Sequence, residues 1–310
     1  MLNQPQMSTK QPIFSTVFNI AAFLFLSTGL LSCYSLSSQA YFFNFNAPDR
    51  KIELDSQLIE ISGITIFNND TSLLAIQDES GIVYQISSNT GKIQRQVSFT
   101  PKGDFEDIQY APPFVYVNKS NGTIFQLDDK NFKVLKTFDS GLNKENDIEG
   151  MFYSSGTQSL FLSCKGPLEI KPEEFNRRAV FAYDLKKNKL GLAPVFSISK
   201  EAINDFISEA KNTSDAEGLR SNYNDKVKEF NFGPSAIAID PITKNYFVLS
   251  SVGKIMLVAD QSGKITHIFK LKKDIYPQPE GMAFDSKGNL YISSEGKKGK
   301  GSLVFLKRLK

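Results

Sequence analysis

The sequence has few of the side chains on which nucleophilic catalysis depends. One histidine, His267, and two cysteines, Cys33 and Cys164, occur among its 310 residues. His267 falls in a segment predicted to be an outward-facing strand, so neither a Ser-His-Asp triad nor a histidine-rich zinc site is available. A phosphate-cradling glycine loop and a dinucleotide fingerprint are also missing. Any catalysis would therefore depend on carboxylates and a metal ion.

A strong excess of charge of one sign is also lacking. The formal net charge is only +3, and the lysines are spread over predicted turns, with one concentration at 297–310. Those C-terminal lysines flank a predicted strand, whereas a nucleic-acid-binding surface interleaves basic and aromatic side chains on one face. We therefore expect no nucleic-acid partner.

The apolar run at residues 17–31 is short for a membrane span. Crossing a bilayer takes roughly 20 apolar residues, and the shorter run matches the apolar core of a secretory signal. It ends in Leu30-Leu31-Ser32-Cys33. This ending resembles a lipobox, with a departure at Leu31, where a smaller residue is usual. The resemblance implies a signal peptide at 1–32, cleavage before Cys33 and lipidation of that cysteine.

These features predict an exported cell-envelope lipoprotein, held on the cell membrane or the outer membrane through its N-terminal lipid. Residues 33–50 would form the tether. An uncleaved anchor helix is the alternative interpretation. With Cys33 lipidated, Cys164 has no partner, so we expect no disulfide. Cys164 ends an apolar predicted strand and should behave as a small buried hydrophobic residue.

A short strand that begins with a small or acidic residue recurs along the chain. The five copies begin at Ser62, Glu106, Glu149, Ser235 and Glu280. An apolar second strand, a third strand and a more polar fourth strand follow, joined by turns that favour hairpins. Four antiparallel strands per repeat are typical of a propeller blade. The sequence therefore predicts an all-β fold, a five-bladed β-propeller over residues 51–310.

The interval from Glu149 to Ser235 is about twice the other intervals. The third repeat already supplies four strands by Ser199, and apolar residues then recur at helical spacing. We interpret residues 200–232 as a helical rim insertion between blades three and four, with six blades as the alternative. Residues 51–55 and 302–306 fit one blade, which would close the ring and remove its exposed edge.

The repeat motif resembles that of a known family. Ser62-Gly63-Ile64, Glu149-Gly150-Met151 and Glu280-Gly281-Met282, with residues 288–295 following, are similar to the SdiA-regulated (YjiK-like) family of bacterial envelope β-propeller proteins. The resemblance covers nearly all of the mature chain, and residues 200–232 depart from the simplest family pattern. The family's activity is poorly defined, so the resemblance implies architecture more than function.

The first strand of each blade lines the central channel, so the five repeat-starting residues should form a ring at the channel mouth. Carboxylates held close together raise one another's pKa or recruit a cation, and hard oxygen donors suit Ca²⁺ or Mg²⁺. We predict Glu106, Glu149 and Glu280 as metal ligands. The alternatives are that they cap backbone amides and solvate the channel, or that they are catalytic.

A second layer of polar residues should surface near one rim and form a ligand site with the ring serines. We assign Ser62, Asp78, Lys119, Lys165, Glu217, Ser235 and Glu295 to this ligand rim. Ordinary turn chemistry explains the second layer equally well. Glu217 copies the ring motif out of register, either as part of a lid or by coincidence.

The predicted function is a tethered, monomeric binding module with Ca²⁺ as a candidate cofactor. Its partner would be a small molecule or an envelope protein. The alternative is a Ca²⁺-dependent hydrolase of the lactonase or phosphoesterase type, in which the metal polarises the substrate and activates water.

Overall fold

The structure, a computed structural model, describes residues 41–169, 171, 174–209, 219–220, 223, 229–297 and 299–309. The predicted signal peptide, the predicted lipidation site Cys33, the predicted tether up to residue 40 and Glu217 lie outside the described residues. No helix within the described part of the chain is long and apolar enough to cross a membrane.

The chain begins with strand β1 (Arg50–Glu53) and a 3-10 turn (Ser56–Leu58), then forms two four-stranded meanders. Blade one consists of β2 (Ile61–Phe67), β3 (Ser72–Gln77), β4 (Ile82–Ser87) and β5 (Ile93–Ser98). Blade two consists of β6 (Phe105–Ala111), β7 (Phe114–Lys119), β8 (Thr123–Asp128) and β9 (Val134–Asp139). Both match the predicted repeats.

Blade three carries an extra short strand, and blade four is again a simple meander. Blade three consists of β10 (Ile148–Ser154), β11 (Ser159–Cys164), β12 (Arg177–Asp184), β13 (Lys189–Leu190) and β14 (Phe196–Ser199). Blade four consists of β15 (Gly233–Ile239), β16 (Tyr246–Val252), β17 (Ile255–Ala259) and β18 (Ile265–Lys270).

Both ends of the chain contribute to blade five. Its strands are β19 (Pro279–Phe284), β20 (Leu290–Ser294), β21 (Ser302–Leu306) and the N-terminal β1. β1 pairs antiparallel with β21, with Ile52 opposite Leu303. Within the described residues the strands form five sheets, so the five-bladed propeller is confirmed and the six-bladed alternative is not.

Burial falls from the channel to the outside of each blade. The second strand β3 is buried along most of its length, whereas the fourth strand β5 is mostly exposed. The apolar clusters lie between neighbouring blades; Leu74 and Ile76 of blade one, for example, pack with Ile108 and Val115 of blade two. Contact between blades is therefore what holds the first strands around the channel.

The insertion after blade three begins with a helix, α1 (Lys200–Glu209). Ile203 and Ile207 are buried, and Phe206 packs against the same cluster. The helix contacts β14 and β18, the outer strands of blades three and four. It therefore lies outside the blades, where its apolar spacing predicted it.

Residues 41–50, which the sequence analysis assigned to the tether, belong to the folded part of the chain. Phe43 and Phe45 are buried in the cluster between blades four and five, and Tyr41 packs beside them. The predicted tether of 33–50 is therefore too long at its C-terminal end, because these aromatic side chains lose more by exposure to water than a free linker gains in entropy.

Candidate functional site

All five predicted ring residues line one cavity of about 250 Å³ at one end of the channel. We call this cavity the acidic mouth. Its lining residues are Ser62, Asp78, Asp104, Glu106, Asp147, Glu149, Lys165, Ser235, Gln278, Glu280 and Glu295. Seven of these side chains are carboxyl groups, and Lys165 is the one cationic side chain among them. The cavity therefore concentrates negative charge.

Each ring residue sits at a break in the strand register. Pairing between the first and second strands skips Glu106, Glu149, Ser235 and Glu280, and in blade one it skips Ser62 together with Gly63. A β-bulge leaves the extra residue without a cross-strand partner and turns its side chain. The same device, repeated in every blade, directs these five side chains to the acidic mouth.

In blades one, three and five the residue after the ring residue is glycine, because neighbouring blades nearly touch there. A Cβ on Gly63 would lie 2.5 Å from the Cα of Asp107, and one on Gly150 would lie 2.8 Å from the Cα of Ala236. Real Cβ atoms do not approach backbone so closely. These glycines therefore serve the packing of the ring.

Asp107 occupies the equivalent position in blade two and fills the space above Gly63. Its carboxylate accepts hydrogen bonds from the backbone N–H groups of Ile108 and Met151, both at 2.7 Å. Burial raises the pKa of Asp107 well above its usual range, although these bonds act in the opposite direction. The Met151 bond ties blade two to blade three beneath the acidic mouth.

Glu106, Asp78 and Asp104 form a cluster on one side of the mouth. One ligand atom from each lies within 4.8 Å of the others. Burial, then the negative charges of Glu149 and Asp104, raise the pKa of Glu106 to about 10. Burial and Asp104 raise the pKa of Asp78 to about 6. Without a cation, Glu106 therefore keeps its proton at neutral pH.

Glu149 and Glu280 lie on the other side, with Lys165. The Lys165 ammonium donates to Glu149 Oε1 at 2.7 Å. Burial raises the pKa of Glu149 to about 7 despite this ion pair, and burial together with Glu149 raises that of Glu280 to about 8. Burial, the largest single effect, lowers the pKa of Lys165, but Glu149, Glu280 and Asp147 together raise it more, so the net shift is upward.

Most of the predicted ligand rim is brought together, with one exception among the described residues. Asp78, Lys165 and Glu295 line the acidic mouth, whereas the Lys119 ammonium lies over the ring of Phe105, 5.6 Å from its centroid. Side chains alternate along a strand, and the neighbouring Asn118 points inward to donate to the Ile148 carbonyl at 3.0 Å. Lys119 therefore points elsewhere, and its assignment to the rim is wrong.

Three lining residues were missed by the sequence analysis. Asp104, Asp147 and Gln278 each precede a ring residue by two positions. Their spacing from Glu106, Glu149 and Glu280 repeats between blades and was the available signal. Ser235 contributes to packing between blades, because its Oγ donates to the Pro279 carbonyl of blade five at 2.9 Å.

The opposite end of the channel has a different character. A second cavity of about 280 Å³ is lined there by the far ends of the same first strands, including Tyr110, Phe152, Tyr153 and Phe284. We call it the aromatic mouth. The channel thus opens on an anionic site at one end and an apolar one at the other.

A family model described as SdiA-regulated matches residues 43–298, which includes every described residue that lines the acidic mouth. The chain belongs to this family. No curated protein sequence matches this SdiA-regulated protein significantly.

Solved structures similar to this SdiA-regulated protein share little sequence with it. Streptogramin B lyase is 10% identical, with 83% of this chain and 97% of that chain covered and a TM-score of 0.45. A nidogen/laminin complex is 12% identical, with coverages of 76% and 72% and a TM-score of 0.45. Glutaminyl cyclase from Myxococcus xanthus is 11% identical, with coverages of 68% and 72% and a TM-score of 0.41.

Proposed function

We propose that this propeller is a binding module of the bacterial cell envelope, tethered by a lipid on Cys33, and that its acidic mouth binds Ca²⁺ together with a ligand. The observation that carries the proposal is the convergence of five bulged residues on a cavity where seven carboxyl groups face one lysine. A mouth built only to solvate the channel would have no need of this repeated geometry.

The arrangement of Asp78, Asp104 and Glu106 supports Ca²⁺ as the cation. Oxygens that bind one Ca²⁺ at 2.3–2.6 Å lie no more than about 5 Å apart, and this cluster meets that limit at 4.8 Å. Glu149 is already paired with Lys165. The proposed cation site therefore retains one of the predicted ligands, Glu106. Asp78 and Asp104 take the places of Glu149 and Glu280.

The tether is supported by the sequence at 17–33, where a short apolar run ends in a cysteine. Mass spectrometry of protein extracted from membranes should show an N-terminal cysteine carrying acyl chains. An intact N-terminus without lipid would contradict this part of the proposal.

Thermal melting with Ca²⁺ or chelator tests the cation site. A ligand that binds only the native state stabilises it by mass action, so the melting temperature should rise with Ca²⁺ concentration. Glu106→Gln keeps the size of the side chain but removes a ligand charge, and it should abolish the rise. Glu145→Gln is a matched control because Glu145 is exposed and outside the cavity.

The Ca²⁺ effect should also depend on pH. Glu106, with a pKa near 10 in the absence of a cation, has to release its proton to coordinate the metal. The shift in melting temperature should therefore grow as the pH rises from 6 to 8. Identical melting curves with Ca²⁺ and with chelator at both pH values would contradict the proposed cation site.

A Ca²⁺-dependent hydrolase is the second candidate, and the pKa values of Glu149 and Glu280 favour it. Acids with pKa values near 7 and 8 are suited to proton transfer at neutral pH. In that case the protein should hydrolyse a lactone or a phosphate ester, lose turnover on chelation and regain it with Ca²⁺. Glu149→Gln should then abolish turnover but preserve the Ca²⁺-dependent melting shift.

A further inference from the structure

The described chain begins at the end of the propeller that carries the aromatic mouth. Tyr41 packs on Phe247 and His267, and Phe42 stacks with the Arg308 guanidinium at 4.2 Å. Arg308 in turn pairs with Asp240, in the turn that follows the first strand of blade four. The acidic mouth lies at the opposite end of that strand, at Ser235. We call the end with Phe42 the tether face.

Three large apolar side chains are exposed near one another on the tether face. Phe42, Ile242 and Leu309 are 37%, 56% and 43% exposed. The Leu309 N–H donates to the Phe42 carbonyl at 2.8 Å, and both Ile242 and Arg308 lie against Gly288. Exposed apolar residues scattered singly need no explanation, but a contiguous group marks an interaction surface.

Exposed lysines surround this apolar group. Lys244 and Lys287 lie in the two turns that carry Ile242 and Gly288, and Lys307 precedes the C-terminal pair. The nearby buried acids are neutralised or hydrogen-bonded: Asp240 accepts from Arg308 at 3.0 Å, and Asp285 accepts from the Lys287 N–H at 2.9 Å. The patch therefore presents apolar side chains with three lysines and the exposed Asp49, whose carboxylate accepts from the Lys307 N–H at 2.7 Å, so cationic side chains outnumber this exposed acid.

Such a surface matches the interface of an anionic bilayer. Apolar side chains insert at the boundary between headgroups and acyl chains, while nearby lysines interact with anionic headgroups. The length of the chain brings the patch within reach, because seven residues lie between Cys33 and Tyr41 and the eight Cα-to-Cα steps that join them span at most about 28 Å.

We propose that the tether face rests on the anionic membrane through Phe42, Ile242, Leu309 and the flanking lysines, with the acidic mouth directed away from the bilayer. This inference rests on the proposed lipid on Cys33. The first strands are about 20 Å long at 3.3 Å per residue, so the mouth opens on the far side of the propeller. Its ligand then comes from the surrounding compartment or from a facing protein.

Lipid-borne quenchers measure this orientation in the full-length lipoprotein. A fluorophore is attached to Gln261→Cys, in an exposed turn of the tether face, or to Glu145→Cys, in an exposed loop at the acidic end. The native Cys164 is buried and should not label. In phosphatidylethanolamine/phosphatidylglycerol vesicles that contain nitroxide lipids, the label at 261 should be quenched and the label at 145 should not. Equal quenching at both positions would overturn the orientation.

Two further variants test the patch itself. Ile242→Ser with Leu309→Ser removes exposed apolar groups without opening the core, and Lys287→Glu with Lys307→Glu reverses two exposed charges. Each should reduce quenching at position 261, and phosphatidylcholine vesicles should mimic the charge variant. Unchanged quenching in both variants would overturn the patch as the contact.

The same preparation separates failure of the tether from failure of the orientation. If mass spectrometry of the wild-type preparation shows no acyl chain on Cys33, the lipid tether is wrong and the orientation falls with it. A tethered wild type with equal quenching at the two labels contradicts the orientation alone.

Discussion

Buried carboxyl groups have a full set of partners at one end of the channel and too few at the other. At the tether face, the fully buried Asp240 accepts three hydrogen bonds of 3.0 Å from the Arg308 guanidinium. Asp285 accepts from the backbone of Lys287 and Asn289 and from the Asn289 amide. At the acidic mouth, seven carboxyl groups share one lysine.

Whether a buried acid has hydrogen-bond partners within the fold distinguishes structural acids from candidate ligand-binding acids. A buried carboxylate with a complete set of partners is compatible with a stable native state, whereas neighbouring carboxyl groups that share one cation keep protons or recruit a cation. Proteins tolerate such local conflict where function requires it. This contrast supports the proposal that the acidic mouth is the functional end, whereas the buried acids of the tether face have their hydrogen-bond partners within the fold.

The largest effect is expected from breaking the buried pair at the tether face. Arg308→Met should lower the free energy of unfolding by about 3–5 kcal/mol, because it leaves a buried charge on Asp240 without its partner. Urea denaturation at neutral pH measures the change.

The exposed pair between Lys300 and Glu53 provides the control for that experiment. The two side chains are 61% and 73% exposed, so Lys300→Met should cost less than about 1 kcal/mol. Similar losses of unfolding free energy in the two variants would contradict a larger contribution from the buried Arg308–Asp240 pair.

A smaller and pH-dependent effect is expected from Lys165→Met at the acidic mouth. Glu149 already has a pKa near 7 beside Lys165, and loss of the lysine raises that pKa further. The free energy of unfolding of the variant should be lower by about 1–2 kcal/mol at pH 8. At that pH the folded state must either ionise Glu149 without its partner or keep a proton that the unfolded state releases. At pH 5 Glu149 is protonated in both proteins, so a loss of equal size there would contradict the explanation.

The smallest effect is a gain from Glu280→Gln. The folded-state pKa of Glu280 is raised to about 8, so its contribution to stability is present at low pH and is lost as the pH rises through about 8. Glutamine avoids that loss, and the variant should be more stable than the wild type by up to about 1 kcal/mol at pH 9 in chelator. Calorimetry should show no gain at pH 5.

The repeats made the fold predictable from the sequence. The first strand of each blade begins with a small or acidic residue and has a period-two apolar pattern. The single N-terminal strand β1 completes the last blade, which otherwise has three strands. The packing of residues 41–50 was not predictable, because the short alternation of Phe43-Asn44-Phe45-Asn46 favours a strand, which these residues do not form. Their place is set by contacts with blades four and five.

The ring of the candidate site was also predictable, but its close geometry was not. The bulges at Glu106 and Glu149 depend on the register between the first and second strands. A shift of that register by one residue would turn each side chain to the opposite face of the sheet, and no local sequence pattern specifies the register. Counting offsets from the ring found Lys165 and Asp78 but failed for Lys119, since neighbouring residues on a strand face opposite sides. The cluster of Asp78 with Asp104 joins two blades and needed the structure.

The pairing of β1 with β21 also governs when this protein can finish folding during its synthesis. Lys51 pairs with Val304, so the N-terminal strand must wait for nearly the whole chain before it finds its partner. Closing so long a loop costs entropy that only the completed ring repays. The ring of an emerging chain therefore stays open until its last strand has been made.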